Sequence, residues 1–267
     1  SFLVLASMLN VFPVLFAGAL LAKMGVDYWR TNELRAEHRQ WLKYAVITSA
    51  VCGVISVSYG NGVSNYSKFF ENMDHHSQGP PTKDGTRRER MPAYGVGLKF
   101  AYLYRGEHFQ KSKNFSPLRK SRQFREIKSI YKGTGYLLVA LALVIAMRLE
   151  DLEASILVGF AAFFCLLGTV GYYFACASLI IVLWQKRAAS PVGLLMIALF
   201  FACSYAGHKA YVVTQAADVA HNTVMSFAWL GYLLVTLAVL GHETGLYRDL
   251  VNYLAPPRHE PEAAAPS

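Results

Sequence analysis

Charge is scarce in this chain: 16% of its 267 residues are Asp, Glu, Lys or Arg. No acidic residue falls in the middle of any long apolar run, which leaves no obvious intramembrane carboxylate for a proton pump. The four cysteines, Cys52, Cys165, Cys176 and Cys203, all sit within apolar stretches, so neither a disulfide framework nor a Cys-rich metal loop is expected. Nucleotide-binding glycine loops, nucleophile elbows and zinc-protease helices are also lacking. Gly133-Thr134-Gly135 is too short to cradle phosphate. With no catalytic constellation in view, no enzymatic activity is expected.

What the chain does have is apolar length. It is 54% hydrophobic with a mean hydropathy of +0.28, well above the apolar fraction a soluble core of this size needs. Six runs approach the roughly 17 to 25 residues that cross a bilayer: Phe2 to Ala22, Leu42 to Tyr59, Thr134 to Met147, Ala154 to Trp184, Val192 to Val213 and Asn222 to Leu240. The third is short and the fourth overlong, so the fourth is expected to bend or leave the bilayer. Lys23 follows the first run without a small-residue cleavage pattern, which reads as a retained helix; the opening Ser is taken as a sign of trimming. The expected fold is an all-α polytopic membrane protein with about six transmembrane helices. Its parts are two helices over 1–61, a basic extramembrane loop over 62–132, a four-helix region over 133–241 and a polar tail over 242–267. With six spans, both termini fall on the side of the long loop.

The loop holds 15 Lys or Arg against 6 Asp or Glu, which accounts for the whole net charge of +9. Its first part is rich in turn formers; Asp74-His75-His76 within it has no further metal ligand at a recognised spacing. Val96 to Tyr104 alternates apolar and small or polar residues, the period of a strand with one apolar face in need of a partner. A helix is expected from Ser116 as N-cap and Pro117 at its first position. Phe124, Ile127, Ile130 and Tyr131 share one of its faces. Arg122, Arg125, Lys128 and Lys132 share the other, suited to anionic lipid headgroups. A membrane-tied basic loop has simpler partners than nucleic acid. Lys and Arg near span ends are balanced between the two sides, so orientation stays open.

Three sets of residues invite a site. Ala161, Cys165, Gly168, Gly171, Ala175 and Ser178 recur at three- to four-residue spacing, a shallow face for helix packing. Glu150, Asp151 and Glu153 lie in the link before the fourth run, where they complement the positive end of the following helix. The hairpin between the last two runs carries His208, Lys209, Asp218 and His221. His208 and His221 make a weak bis-histidine haem pair, and Lys209 with Asp218 an ion or proton relay. Snorkelling and helix capping explain these four residues more simply.

Taken in order, Leu42 to Val213 comprises two helices around a long loop, a short link and an overlong helix. This resembles the claudin-like plan and, with the preceding helix, is similar to dual oxidase maturation factors. The resemblance implies a partner membrane oxidase. Gly62 to Lys132 contains no cysteine or tryptophan, so the claudin-type disulfide and tryptophan motif are missing. The expected function is a non-catalytic membrane subunit or assembly factor of a larger complex, set in an organellar, mitochondrial inner membrane and its respiratory machinery. A transporter or channel built on the last hairpin, an oxidase maturation partner and a b-type haem protein remain alternatives.

Overall fold

The computed structural model describes residues 13–58, 62, 64, 67–68, 78–81, 87–89, 96–104, 117–167, 178–213 and 218–254. They are predominantly helical. Helix α1 spans Pro13–Thr31 and α2 Ala36–Ser58. Asn32, at φ 54°, turns the chain between them, in the left-handed region that Asn tolerates better than most residues. A two-stranded antiparallel ribbon, β1 (Gln78–Pro81) with β2 (Arg87–Glu89), lies in the long connection. Helices α3 (Leu98–Tyr104), α4 (Pro117–Ala146) and α5 (Asp151–Ala162) follow, and α5 runs into a π-helical turn at Phe163–Leu167. The last helices are α6 (Ile180–Gln185), α7 (Pro191–Val213), α8 (Asp218–Glu243) and α9 (Leu246–Leu254).

Among the described residues three helices are long and apolar enough to cross a membrane: Glu126–Ala146 within α4, Pro191–Ala210 within α7 and His221–Glu243 within α8. The chain is thus a helical protein compatible with integral membrane residence. The third run, short in the sequence, gains its length upstream. Because α4 begins at Pro117 and continues without a break, Ile127 and Tyr131 are buried on the same helix as the apolar run.

Within the alternating stretch Val96 to Tyr104, Leu98–Tyr104 is a helix and not the expected strand. Alternation and helical amphipathicity coincide over so few residues, and the bundle supplies the missing partner. Leu98, Phe100 and Ala101 are buried where α3 packs on α4 and α8. Gly97 N donates to Ser226 Oγ at 3.1 Å, and Tyr102 Oη lies 2.9 Å from Thr134 Oγ1. Part of the long connection is therefore built into the bundle itself.

The core forms where α5, α7 and α8 meet. Phe160, Phe200, Trp229 and Tyr232 pack edge to face with ring centroids 5.1 to 6.3 Å apart, the geometry aromatic quadrupoles prefer. Helix α1 lies along α5 so closely that a Cβ on Gly159 would stand 2.3 Å from the Phe16 ring. Leu137, Leu195, Phe201 and Leu234 stay exposed on the bundle's outside, as lipid contact requires.

Candidate functional site

Several ion pairs among the described residues gather at one end of the bundle, where the short links lie. Helix α4 ends there and α5 begins there. Leu152 apart, Arg148 to Glu153 is a run of ion-pair formers with one apolar residue, Leu149, in its centre. Glu150 is the N-cap of α5 but makes no side-chain cap bond. Instead it pairs with Lys186, which holds its carboxyl below the ordinary range. The carboxylates still sit at the positive end of α5, as the sequence suggests. Their direct partners, however, are cations from other links.

Glu153, almost wholly buried, accepts from Arg187 Nη1 at 2.7 Å, and Glu243 at the end of α8 accepts from Arg187 Nε at 2.7 Å. Partial burial works against the Arg187 charge, but the two carboxylates outweigh it and strengthen its hold on the proton. Arg148 Nη1 reaches Asp249 Oδ2 at 2.7 Å and Thr244 O at 3.1 Å, tying α4 to α9.

The fourth run, expected to bend or leave the bilayer, is not one through-going helix: Glu153 and Arg187, which bracket Ala154 to Trp184, are in contact. The start of α5 and the end of α6 thus lie at the same end of the bundle. Lys186, Arg187 and Arg248 therefore share an end with Lys23 and Arg35. Helix α9 lies at this same end, where Asp249 meets Arg148 after α4.

The densest group joins α1, α2 and α5. Asp151 Oδ1 receives Lys23 Nζ at 3.0 Å and Arg35 Nη2 at 3.1 Å, while Oδ2 lies 3.0 Å from His38 Nε2. Lys23 also donates to Leu149 O. Asp27 Oδ2 takes Arg35 Nε at 2.9 Å and stands 3.6 Å from His38 Nδ1. Partial burial would raise the Asp151 carboxyl. Hydrogen bonds from Lys23, His38 and Arg35, with the Lys23 charge, outweigh it and hold the group at about 2, against an ordinary 3.8. His38 is 1% exposed and Lys23 7%.

Of this clasp the sequence singled out Asp151 alone, and as a complement to the following helix. The clasp's one further signal was polarity where apolarity was due: Lys23 and Asp27 interrupt a helix that continues to Thr31. The residues that were expected scatter. Ala161 and Cys165 are buried, and Cys165 O lies 3.1 Å from where a Cβ on Gly135 of α4 would stand, so this part of the small face does receive a helix. Ser178 is exposed, and Gly168, Gly171 and Ala175 lie outside the described residues. Lys128 and Lys132 are half-buried on α4, and the side chains of Arg122 and Arg125 lie outside the described residues, as does that of Asp218.

In the hairpin, His221 Nδ1 is 2.8 Å from Gly207 O, and its ring approaches the Cβ position of Gly207. His208, one residue on, is exposed, and so is Lys209. Of the hairpin's described polar residues, it is His221 that joins α8 to the α7 backbone, at Gly207. Asp74-His75-His76 lies outside the described residues. Among the described residues no three His, Cys, Asp or Glu side chains gather as metal ligands. Comparison with protein-family models, with curated proteins and with solved structures finds no match to this chain.

Proposed function

We propose that the chain is a non-catalytic integral membrane subunit or assembly factor that holds a partner membrane protein along α2. The observation that supports this reading is the state of that helix. Its first turns are clasped to α1 and α5, yet no described element packs extensively along the rest of it. Val46, Ile47, Val51, Val54 and Ile55 are 48 to 67% exposed. A Cβ on Gly53 would meet nothing within 4 Å, which leaves room for a second helix to approach closely. The charges of the short-link end are engaged in binding one helix to another, a structural use consistent with a scaffold. An organellar inner membrane and its energy-transducing complexes are the proposed setting, supported by the basic balance of the sequence alone.

Photo-cross-linking in the native membrane tests this. A benzophenone side chain at Val54 should give a protein adduct of discrete size, whereas one at Leu195, on the outside of α7, should label lipid. Lipid adducts alone from both positions would reject α2 as a subunit contact.

A further inference from the structure

We infer that His38 is a proton-binding site that exchanges with Arg35 for Asp151, and so sets how firmly α2 is held to the rest of the bundle. This rests on the clasp geometry and is independent of the assembly reading.

The imidazole is enclosed by charged groups from three elements. From α1 come Asp27 and Lys23, from the turn before α2 comes Arg35, and from α5 comes Asp151. Lys23 and Arg35 balance the two carboxylates, so the group is neutral when His38 is neutral. Neither neutral tautomer suits its neighbours. Arg35 Nη2 stands 2.6 Å from His38 Nε2, which suits an Nε2 lone pair because arginine can only donate. That same lone pair would then face Asp151 Oδ2, a second acceptor, at 3.0 Å. With the proton moved to Nε2, the Asp151 contact becomes a hydrogen bond and the Arg35 contact sets donor against donor. Nδ1 is then a buried acceptor with no hydrogen-bond partner among the described residues.

A second proton resolves this conflict. Nε2–H donates to Asp151, and Nδ1–H points to Asp27 Oδ2, now 3.6 Å away. Arg35, whose side chain is 46% exposed, is free to withdraw from Asp151 and keep its bond to Asp27. Lys23, 8% exposed, stays on Asp151. The proton comes from solvent and no covalent bond changes. A buried histidinium bridging α1 and α5 closes the clasp more tightly than an exposed arginine does, because buried charge-assisted bonds are screened less. Since no described element packs extensively along the rest of α2, its tilt follows from the clasp.

Spin labels on the full chain in lipid nanodiscs, one at Val46 on α2 and one at Leu152 on α5, report the clasp by their distance distribution between about pH 5 and about pH 8. The wild type is expected to narrow to one distance at the acid end and broaden at the alkaline end. His38→Gln should give one pH-independent distribution. Arg35→Gln removes the competing cation and lets neutral His38 donate from Nε2 to Asp151 unopposed, so the distribution should stay narrow at the alkaline end. A wild type without any pH dependence overturns the inference. So does an unaltered pH dependence in His38→Gln or in Arg35→Gln, and because the arginine is partly exposed its variant serves even if His38→Gln does not fold.

Discussion

Arg187 lies 34 residues after Glu153 and donates to it at 2.7 Å. Were the chain between them one straight helix, the two would stand about 50 Å apart. Their contact makes α5 and α6 a returning pair, and Glu243 completes a link to α8. Breaking a buried ion pair at one partner strands the other charge, at a cost of about 3 to 5 kcal/mol. Arg187→Gln should therefore lower stability in detergent by roughly this amount. Because both sites share one interaction, adding Glu153→Gln should cost less than the sum of the single changes.

At the other contact of α5, Gly159 faces Phe16. Gly159→Ala must displace the ring, since a Cβ would stand 2.3 Å from it. Overpacking of this kind costs about 1 to 3 kcal/mol. Thermal unfolding of the purified protein should show the loss, and Phe16→Ala in the same chain should recover part of it. Full additivity would place α1 elsewhere.

Acid should loosen the clasp in a defined window. Asp151 binds its proton at about 2 in the folded protein against an ordinary 3.8. A depressed carboxylate contributes stability that is complete above the unfolded value and is lost as pH falls through the folded one. Stability should thus decline between about pH 4 and about pH 2 in the wild type. In Asp151→Asn it should already be lower at neutral pH, with a flatter acid limb, as denaturant unfolding at stepped pH would show.

The hairpin separates structural from exposed polar residues. His221→Ala removes the bond to Gly207 O and should cost about 1 kcal/mol. His208→Ala and Lys209→Ala, at exposed positions, should fall within about 0.5 kcal/mol of the wild type. The same unfolding measurement distinguishes the two groups.

Much of the helical plan could be read in the sequence because apolar length and helix signals are local. Pro117 opens α4 as its position after Ser116 predicts, and the runs ending at Val213 and Leu240 lie in α7 and α8. What failed depended on partners far along the chain. The stretch from Leu98 to Tyr104 has the same apolar residues whether it forms a strand or a short helix, and its docking on α4 and α8 decides between them. The excess length of the run after Glu153 announces that it bends, but the pairing of Arg187 with Glu153 has no local pattern. His38 meets Asp151 across 113 residues, so the clasp has no periodic signature. Only the charges inside α1 hinted that something buried would answer them.

The central claim, that this chain is one subunit of a larger membrane assembly, is tested most directly by its mass when extracted from its native membrane in a mild detergent. Light scattering corrected for bound detergent should give a single species heavier than the 29.7 kDa chain, with a second protein in fixed stoichiometry. Charged substitutions at Val46 and Val54 should release that protein and leave the helical content unchanged. A monodisperse 29.7 kDa chain with no protein at fixed ratio would contradict the account.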